Sequence, residues 1–190
     1  MSKSTVETIA RVLKVLVTVT FVCNLIALPL VPGLVLIGGE GGVPTLLEVT
    51  AESGAPGPLI FLAVCWQALW RVWREPYSAM LALFLLFSGV CTAVILWQGR
   101  RVLDTILRGE PFSLENAVSL RRAAVSSFVI SLAALVRLVF SLCWYRSLAP
   151  LLTYNALFVP IFAMAGLLCL VMSALFRQAA EMKAENDLTI

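Results

Sequence analysis

The residues of this sequence that could do chemistry are few, and they form no recognised catalytic set. The 190 residues include no histidine, which removes the commonest general base and the commonest metal ligand. Ser-His and Cys-His nucleophile pairs are therefore excluded. The five cysteines are scattered without a C-x-x-C pair, at Cys23, Cys65, Cys91, Cys143 and Cys169. We interpret them as small apolar residues, with Cys65 as the one candidate exception, and predict no enzyme, cofactor or metal site.

Three polar residues in apolar surroundings are candidates for an intramembrane role, namely Asn24, Arg137 and Asn155. Arg137 lies 14 residues after Ala123, about 21 Å along a helix, near enough to one membrane surface for its side chain to snorkel. Alternatively, it is a packed or substrate-facing charge held by Asn155 or Tyr154. Asn24 is expected to bond a neighbouring helix. No carboxylate lies at the same depth to pair with Arg137, which weakens a transporter hypothesis.

A second group of candidates surrounds two polar segments. Gly109 is expected to end a helix, a turn follows at Pro111-Phe112, and Ser113 is a good N-cap for the next helix. These features are typical of helix punctuation, or alternatively of a docking surface for a cytoplasmic partner. The residues that we assign to such a surface are Pro111, Phe112, Asn116, Arg121, Asp187, Leu188 and Ile190.

The composition of the chain indicates where these residues must be placed. Hydrophobic residues make up 61%, charged residues 13%, and the mean hydropathy is +0.96. Soluble domains are roughly 45–50% apolar and about 25% charged. The composition therefore excludes a soluble domain, a disordered chain and a nucleic-acid-binding module. The lipid bilayer is the expected partner, and no direct contact with nucleic acid is expected.

Uncharged runs of about 20 residues, the length needed to cross a bilayer, predict four spans. They cover about 12–37, 77–98, 123–145 and 151–175, within a single membrane domain of residues 1–190. Proline is expected to kink or end the first span at Pro29 and Pro32, and to kink the fourth at Pro160. The predicted fold class is all-α, a polytopic membrane protein with four transmembrane helices.

The segment Leu59 to Trp73 is apolar but too short for a standard span, at about 22 Å as a helix. Trp66, Trp70 and Trp73 recur at helical spacing beside a polar stripe that includes Arg71. Tryptophans beside cations are typical of a helix at the lipid headgroups. We predict an external interfacial amphipathic helix between helices 1 and 2, with a short extra span or a re-entrant hairpin as alternatives.

The positions of the basic residues predict the orientation. With both termini in the cytoplasm, ten of the 14 basic residues lie in the cytoplasmic segments or, for Lys14, at the cytoplasmic end of the first span, as the positive-inside rule requires. The external segment is then 38–76, the cytoplasmic linker 99–122 and the cytoplasmic tail 176–190. A fifth span would place the basic linker outside, so the charges favour four spans. We predict a multi-pass protein of the cell (inner or plasma) membrane.

Two motifs carry a family resemblance. Gly109-Glu110-Pro111-Phe112, followed by Glu115-Asn116 and Leu120-Arg121, and a terminus reading Asn186-Asp187-Leu188-Thr189-Ile190 resemble the bacterial domain-of-unknown-function family 2975 of YoaS-like membrane proteins. The resemblance implies an uncharacterised bacterial inner-membrane protein, often encoded beside a Cro/C1-type helix-turn-helix regulator. By association it implies a membrane protein that tethers or restrains that regulator.

Two functions follow as hypotheses. The first is a non-enzymatic regulator or sensor whose cytoplasmic partner docks on the two motifs. The second is a small transporter, channel or efflux component lined by Asn24, Arg137 and Asn155. Four helices of this length rarely enclose a route alone, so the second hypothesis requires a homo-oligomer. A membrane enzyme has the least support, since no acid-base set can be assembled.

Overall fold

A computed structural model of the chain describes residues 3–39, 58–59, 62–63, 66 and 70–187, apart from the side chains of 3, 4, 6, 36–39, 154 and 187. Every regular element in these residues is helical. The α-helices are α1 (Lys3–Ala27), α2 (Val31–Gly39), α3 (Pro76–Leu107), α4 (Leu114–Tyr145) and α5 (Phe158–Asp187). Short 3-10 turns cover Leu28–Leu30, Val72–Arg74, Ala149–Leu152 and Tyr154–Leu157.

Four helical stretches are long and apolar enough to cross a membrane. They are Glu7–Val35, Pro76–Leu107, Leu114–Tyr145 and Asn155–Asn186. In lipid, a spanning segment must satisfy its own backbone hydrogen bonds, which a helix does. The prediction of an all-α polytopic membrane protein is therefore confirmed.

Proline acts differently in the first and last spans. The first span is interrupted by the 3-10 turn Leu28–Leu30, which contains Pro29, so the predicted break is confirmed. In the last span, α5 begins at Phe158, which places Pro160 in its first turn. Proline is tolerated there because the N–H that it lacks would have no helical partner. The predicted kink at Pro160 is therefore wrong, and the residues before Phe158 form the two 3-10 turns Ala149–Leu152 and Tyr154–Leu157.

The chain divides into two compact units, of which the smaller is Leu25–Gly89. Its buried core consists of Val35, Val72 and Ala82, with Val31, Leu81 and Leu85 packed against it. The predicted interfacial helix belongs to this unit and lies largely outside the described residues. Those of its residues that are described before Val72 are helical. Trp66, Trp70 and Trp73 are all exposed, while their depth at a membrane surface stays a prediction.

The larger unit comprises Met1–Asn24 and Val90–Ile190 and is built around the pairing of α4 with α5. The buried face of α4 consists mainly of alanine and serine: Ala117, Ser119, Ala123, Ala124, Ser127, Ser131, Ala134 and Ser141. Small residues let helix backbones approach closely in a membrane. Two serine hydroxyls join the helices directly, because Ser131 Oγ donates to Val159 O at 2.8 Å and Ser173 Oγ donates to Ala117 O at 2.7 Å.

Candidate functional site

The turn between α3 and α4 begins with backbone hydrogen bonds that close the C-terminus of α3. Gly109 has φ +84°, a left-handed conformation that glycine adopts without a Cβ penalty. Its N–H donates to Ile106 O at 3.1 Å, and the N–H of Glu110 donates to Thr105 O at 3.0 Å. This pair of bonds is a Schellman motif, which satisfies carbonyls at a helix end. The predicted helix stop at Gly109 is therefore confirmed. We call residues 108–113 the linker turn.

The beginning of α4 holds the other side of the linker turn. Ser113 is extended, with φ −117° and ψ 148°, and its side chain caps the helix. Its Oγ accepts from the N–H of Asn116 at 3.4 Å, and Glu115 adds a negative charge in the first turn. An acidic residue there interacts favourably with the helix dipole. The predicted N-cap at Ser113 is confirmed.

Asn116 joins the two helix ends. Its side chain is only 1% exposed. Its Nδ2 donates to Pro111 O at 2.7 Å, and its Oδ1 accepts from Thr105 Oγ1 at 2.7 Å. One amide therefore ties the last turns of α3, the linker turn and the first turn of α4 together. Because Asn116 is buried and bonded within the linker turn, it stabilises the turn. A partner that docks here would contact the exposed residues next to Asn116.

Phe112 is the exposed apolar residue of the linker turn. It is 53% exposed, while one side of its ring contacts Phe176 on α5, with the ring centroids 5.8 Å apart and the planes at 43°. Aromatic pairs at this distance favour offset and tilted arrangements. Because one side of the ring packs against α5, the position of Phe112 is fixed while its other side stays exposed. The neighbouring Pro111 is half-buried.

The surroundings of the linker turn are basic. Lys14 Nζ on α1 lies 2.6 Å from Asp104 Oδ1 on α3, which neutralises that carboxylate. The Arg100 guanidinium lies 5.9 Å from the centroid of the Phe21 ring, a cation–π distance. The exposed basic residues are Arg101, Arg108, Arg121 and Arg122. The linker turn, which carries the exposed Glu110 and is followed by the exposed Glu115, thus lies between segments of α3 and α4 that have an excess of basic residues.

The remaining predicted site residues do not join this cluster. Arg137 is half-buried in α4, and Asn155 is exposed in a 3-10 turn. Asn24 Oδ1 is buried without a hydrogen-bond partner among the described residues. Asp187 ends α5, with its side chain outside the described atoms, and Leu188 and Ile190 lie outside the described residues altogether.

Sequence reasoning missed three residues. The first is Thr105, which bonds Asn116, 11 residues further along the chain. The second is Phe176, which contacts Phe112, 64 residues earlier. No local sequence pattern connects residues at these separations. Gln98 is 7% exposed, with its Oε1 buried and unpartnered within the described part of the chain. The signal for Gln98 was available, because it is a polar residue at the end of the uncharged run Pro76 to Gly99.

Comparison with known proteins agrees with the motifs around the linker turn. Residues 58–190 match the family described as protein of unknown function (DUF2975). The search of curated proteins and the search of solved structures found no match. The family match covers well over half of the chain, including the linker turn, α3, α4 and α5. This chain is therefore a member of the DUF2975 family of proteins of unknown function.

Proposed function

We propose that this membrane protein is a non-enzymatic regulator that holds a soluble partner at the linker turn, in particular a helix-turn-helix transcription regulator. The observation that carries the proposal is the exposed Phe112 ring, on a turn that is fixed by its contacts with α3, α4 and α5. Binding surfaces gain most from aromatic anchors whose position is set before the partner arrives, because less conformational freedom is lost on binding.

Charge supports the same assignment. Arg108 in the linker turn and Arg121 and Arg122 on α4 are exposed, so a partner with an acidic patch would be steered towards this part of the protein. The choice of a helix-turn-helix regulator rests on association within the family and on no contact in the structure. In this proposal the membrane spans restrain the partner and keep it from its DNA sites.

The experiment is co-purification of the detergent-solubilised full chain with the helix-turn-helix regulator encoded nearest to it. Replacing Phe112 by alanine should weaken the complex at least tenfold, because truncating an aromatic anchor costs about 2–4 kcal/mol of binding energy. Deleting residues 186–190 should also weaken it, since the tail belongs to the predicted docking surface.

Trp144→Ala is the matched control for Phe112→Ala. Trp144 is 52% exposed and stacks on Phe140 with centroids 5.8 Å apart, so it resembles Phe112 in exposure and packing. It lies at the opposite end of α4, and its loss should leave the complex intact. Equal binding by wild type and Phe112→Ala, with unchanged transcription of the regulator's target genes, would refute the proposal.

One observation favours the second candidate function, a small oligomeric transporter, channel or efflux component. Asn24 Oδ1 and Gln98 Oε1 are buried without hydrogen-bond partners among the described residues, and a buried unpaired polar group is costly. Water or a solute in a polar path would satisfy both oxygens. A donor from a second copy of the chain would do so equally well, which leaves the regulator as our preferred function.

A further inference from the structure

A polar pocket opens beside the linker turn, between α3 and α4. Its volume is about 200 Å³, and seven residues line it: Arg101, Asp104, Thr105, Arg108, Glu115, Asn116 and Ser119. We call it the linker pocket. Arg101, Asp104 and Thr105 come from α3, and Arg108 is the first residue of the linker turn. The residue pairs three or four apart, Arg101 with Asp104 and Thr105 on α3 and Ser119 with Glu115 and Asn116 on α4, lie on one face of their helix.

The charges of the linker pocket are unevenly satisfied. Asp104 is paired with Lys14 at 2.6 Å. Within the part of the chain that the structure describes, neither Arg101 nor Arg108 forms an ion pair. As far as the described residues show, the pocket therefore offers two unpaired guanidinium groups, whose paired N–H donors match the geometry of a phosphate.

The rest of the lining selects for more than a negative charge. Glu115 contributes an acceptor-only carboxylate, and Thr105 and Ser119 contribute hydroxyls. A simple inorganic anion would be repelled by Glu115 and would leave these groups unused. A ligand that combines a phosphate with a hydroxyl or ammonium group would pair with both the arginines and the carboxylate.

The position of the pocket along the helices agrees with such a ligand. Arg101 and Arg108 follow the last residue of the uncharged run, Gly99, by two and nine residues, or about 3 Å and 14 Å along a helix. This is the depth of lipid headgroups and of the water next to them. Basic pockets between helices at this depth are suited to phospholipid headgroups.

We infer that the linker pocket binds a phosphate ester that also carries a hydrogen-bond donor, either a phospholipid headgroup or a soluble phosphorylated metabolite. A volume of about 200 Å³ is below that of pockets for drug-sized molecules and fits a group of headgroup size. This inference does not rest on the regulator proposal, because the pocket and its unpaired arginines carry it, whereas the exposed Phe112 ring carries the regulator proposal.

The test uses the full chain in a nonionic detergent, titrated with short-chain phosphatidylglycerol, short-chain phosphatidylcholine and glycerol 3-phosphate. Saturable binding of phosphatidylglycerol is expected, with weaker binding of phosphatidylcholine, whose headgroup has no hydrogen-bond donor. Binding of glycerol 3-phosphate alone would also support the site and would identify its ligand as soluble.

The double substitution Arg101→Gln/Arg108→Gln should weaken binding roughly tenfold or more, since it removes both guanidinium groups. Arg122→Gln/Arg177→Gln is the control for total charge, because it removes the same charge from exposed positions of α4 and α5 outside the pocket. Unlike the pocket arginines, Arg177 is paired with Glu181 at 2.8 Å. Should the glutamine variant fail to fold, Arg101→Lys/Arg108→Lys keeps the charge but loses the bidentate fork. It should show a smaller but measurable loss.

Equal losses in the pocket variant and the control variant would overturn the inference, because they would indicate a general attraction of anions to a basic surface. Absence of saturable binding for all three probes would overturn it as well. Neither result would affect co-purification through Phe112, so failure of the pocket and failure of the regulator proposal are distinguishable.

Discussion

At the scale of single residues, Asn116 connects the linker turn to the end of α3 and the beginning of α4. Its amide uses both ends, one towards Pro111 O and one towards Thr105 Oγ1. Both bonds are short, and the side chain is buried, so no water can replace it without a rearrangement. Serine at this position would be too short, and aspartate would bring a charge. Asparagine provides one donor group and one acceptor group.

Asn116→Ala should therefore lower the free energy of unfolding by about 1–3 kcal/mol, because the carbonyl of the half-buried Pro111 loses its donor and the hydroxyl of the half-buried Thr105 loses one acceptor. Thr105 retains Val102 O as an acceptor at 2.7 Å, which limits the loss. The measurement is equilibrium unfolding in mixed micelles. Glu110→Ala, in the same turn but exposed, is the control and should change stability by less than about 0.5 kcal/mol. Equal stability of the two variants would contradict the role that we assign to Asn116.

At the scale of elements, the α4–α5 pair organises the larger unit. Gly166 on α5 faces the Phe128 ring on α4, and a Cβ built on Gly166 would lie 3.0 Å from Phe128 Cζ. Close approach at a small residue, combined with the two serine bonds between the helices, is how membrane helices associate without a hydrophobic driving force. The helix pair therefore depends on small residues at a few positions, more than on its abundant leucine.

Gly166→Leu should destabilise the α4–α5 pair by about 1–3 kcal/mol, because the added side chain overlaps the Phe128 ring. Gly99→Ala is the matched control, as a Cβ at this helical glycine meets nothing within 4 Å. It should raise stability by up to about 1 kcal/mol through helix propensity. In thermal unfolding, the melting temperature should fall for Gly166→Leu and rise or stay unchanged for Gly99→Ala. Adding Phe128→Ala should restore part of the stability that Gly166→Leu loses. A neutral effect of Gly166→Leu would show that the helices are not in close contact there.

At the scale of the whole molecule, the chain is a four-span member of a family of unknown function, and its orientation stays a prediction. Ten of its 14 basic residues lie on the side that we predict to be cytoplasmic. The linker turn, the linker pocket and the end of α5 would then face the cytoplasm. The tryptophan-rich segment would face the other side.

Reporter fusions test this orientation. Alkaline phosphatase fused after Glu48 should be active, because that segment is predicted to be external, while fusions after Glu110 and Asp187 should be inactive. Fluorescent-protein fusions should show the opposite pattern, and their signal controls for expression. An active phosphatase after Glu110 would instead support a fifth span within residues 59–73 and would place the linker turn outside.

Local signals in the sequence determined most of the fold. Runs of uncharged residues predicted the four spans, Gly109 and Ser113 predicted the helix ends on either side of the linker turn, and Pro29 predicted the break in the first span. Each of these depends on neighbours within a few residues, through backbone conformation, capping or the cost of charge in lipid. The family motifs are also local, which explains why they were readable from the sequence.

Only the tertiary structure decided which candidate residues are buried and which residues they contact. The burial of Asn116, the support of Phe112 by Phe176 and the contact of Gly166 with Phe128 all join residues that are distant in sequence. The linker pocket exists because α3 and α4 bring two polar faces together, and no pattern within either helix indicates this. Pro160 illustrates the same limit, because its effect depended on where α5 begins. Packing between helices is set by the shapes of both partners, and a single sequence shows each helix without its neighbour.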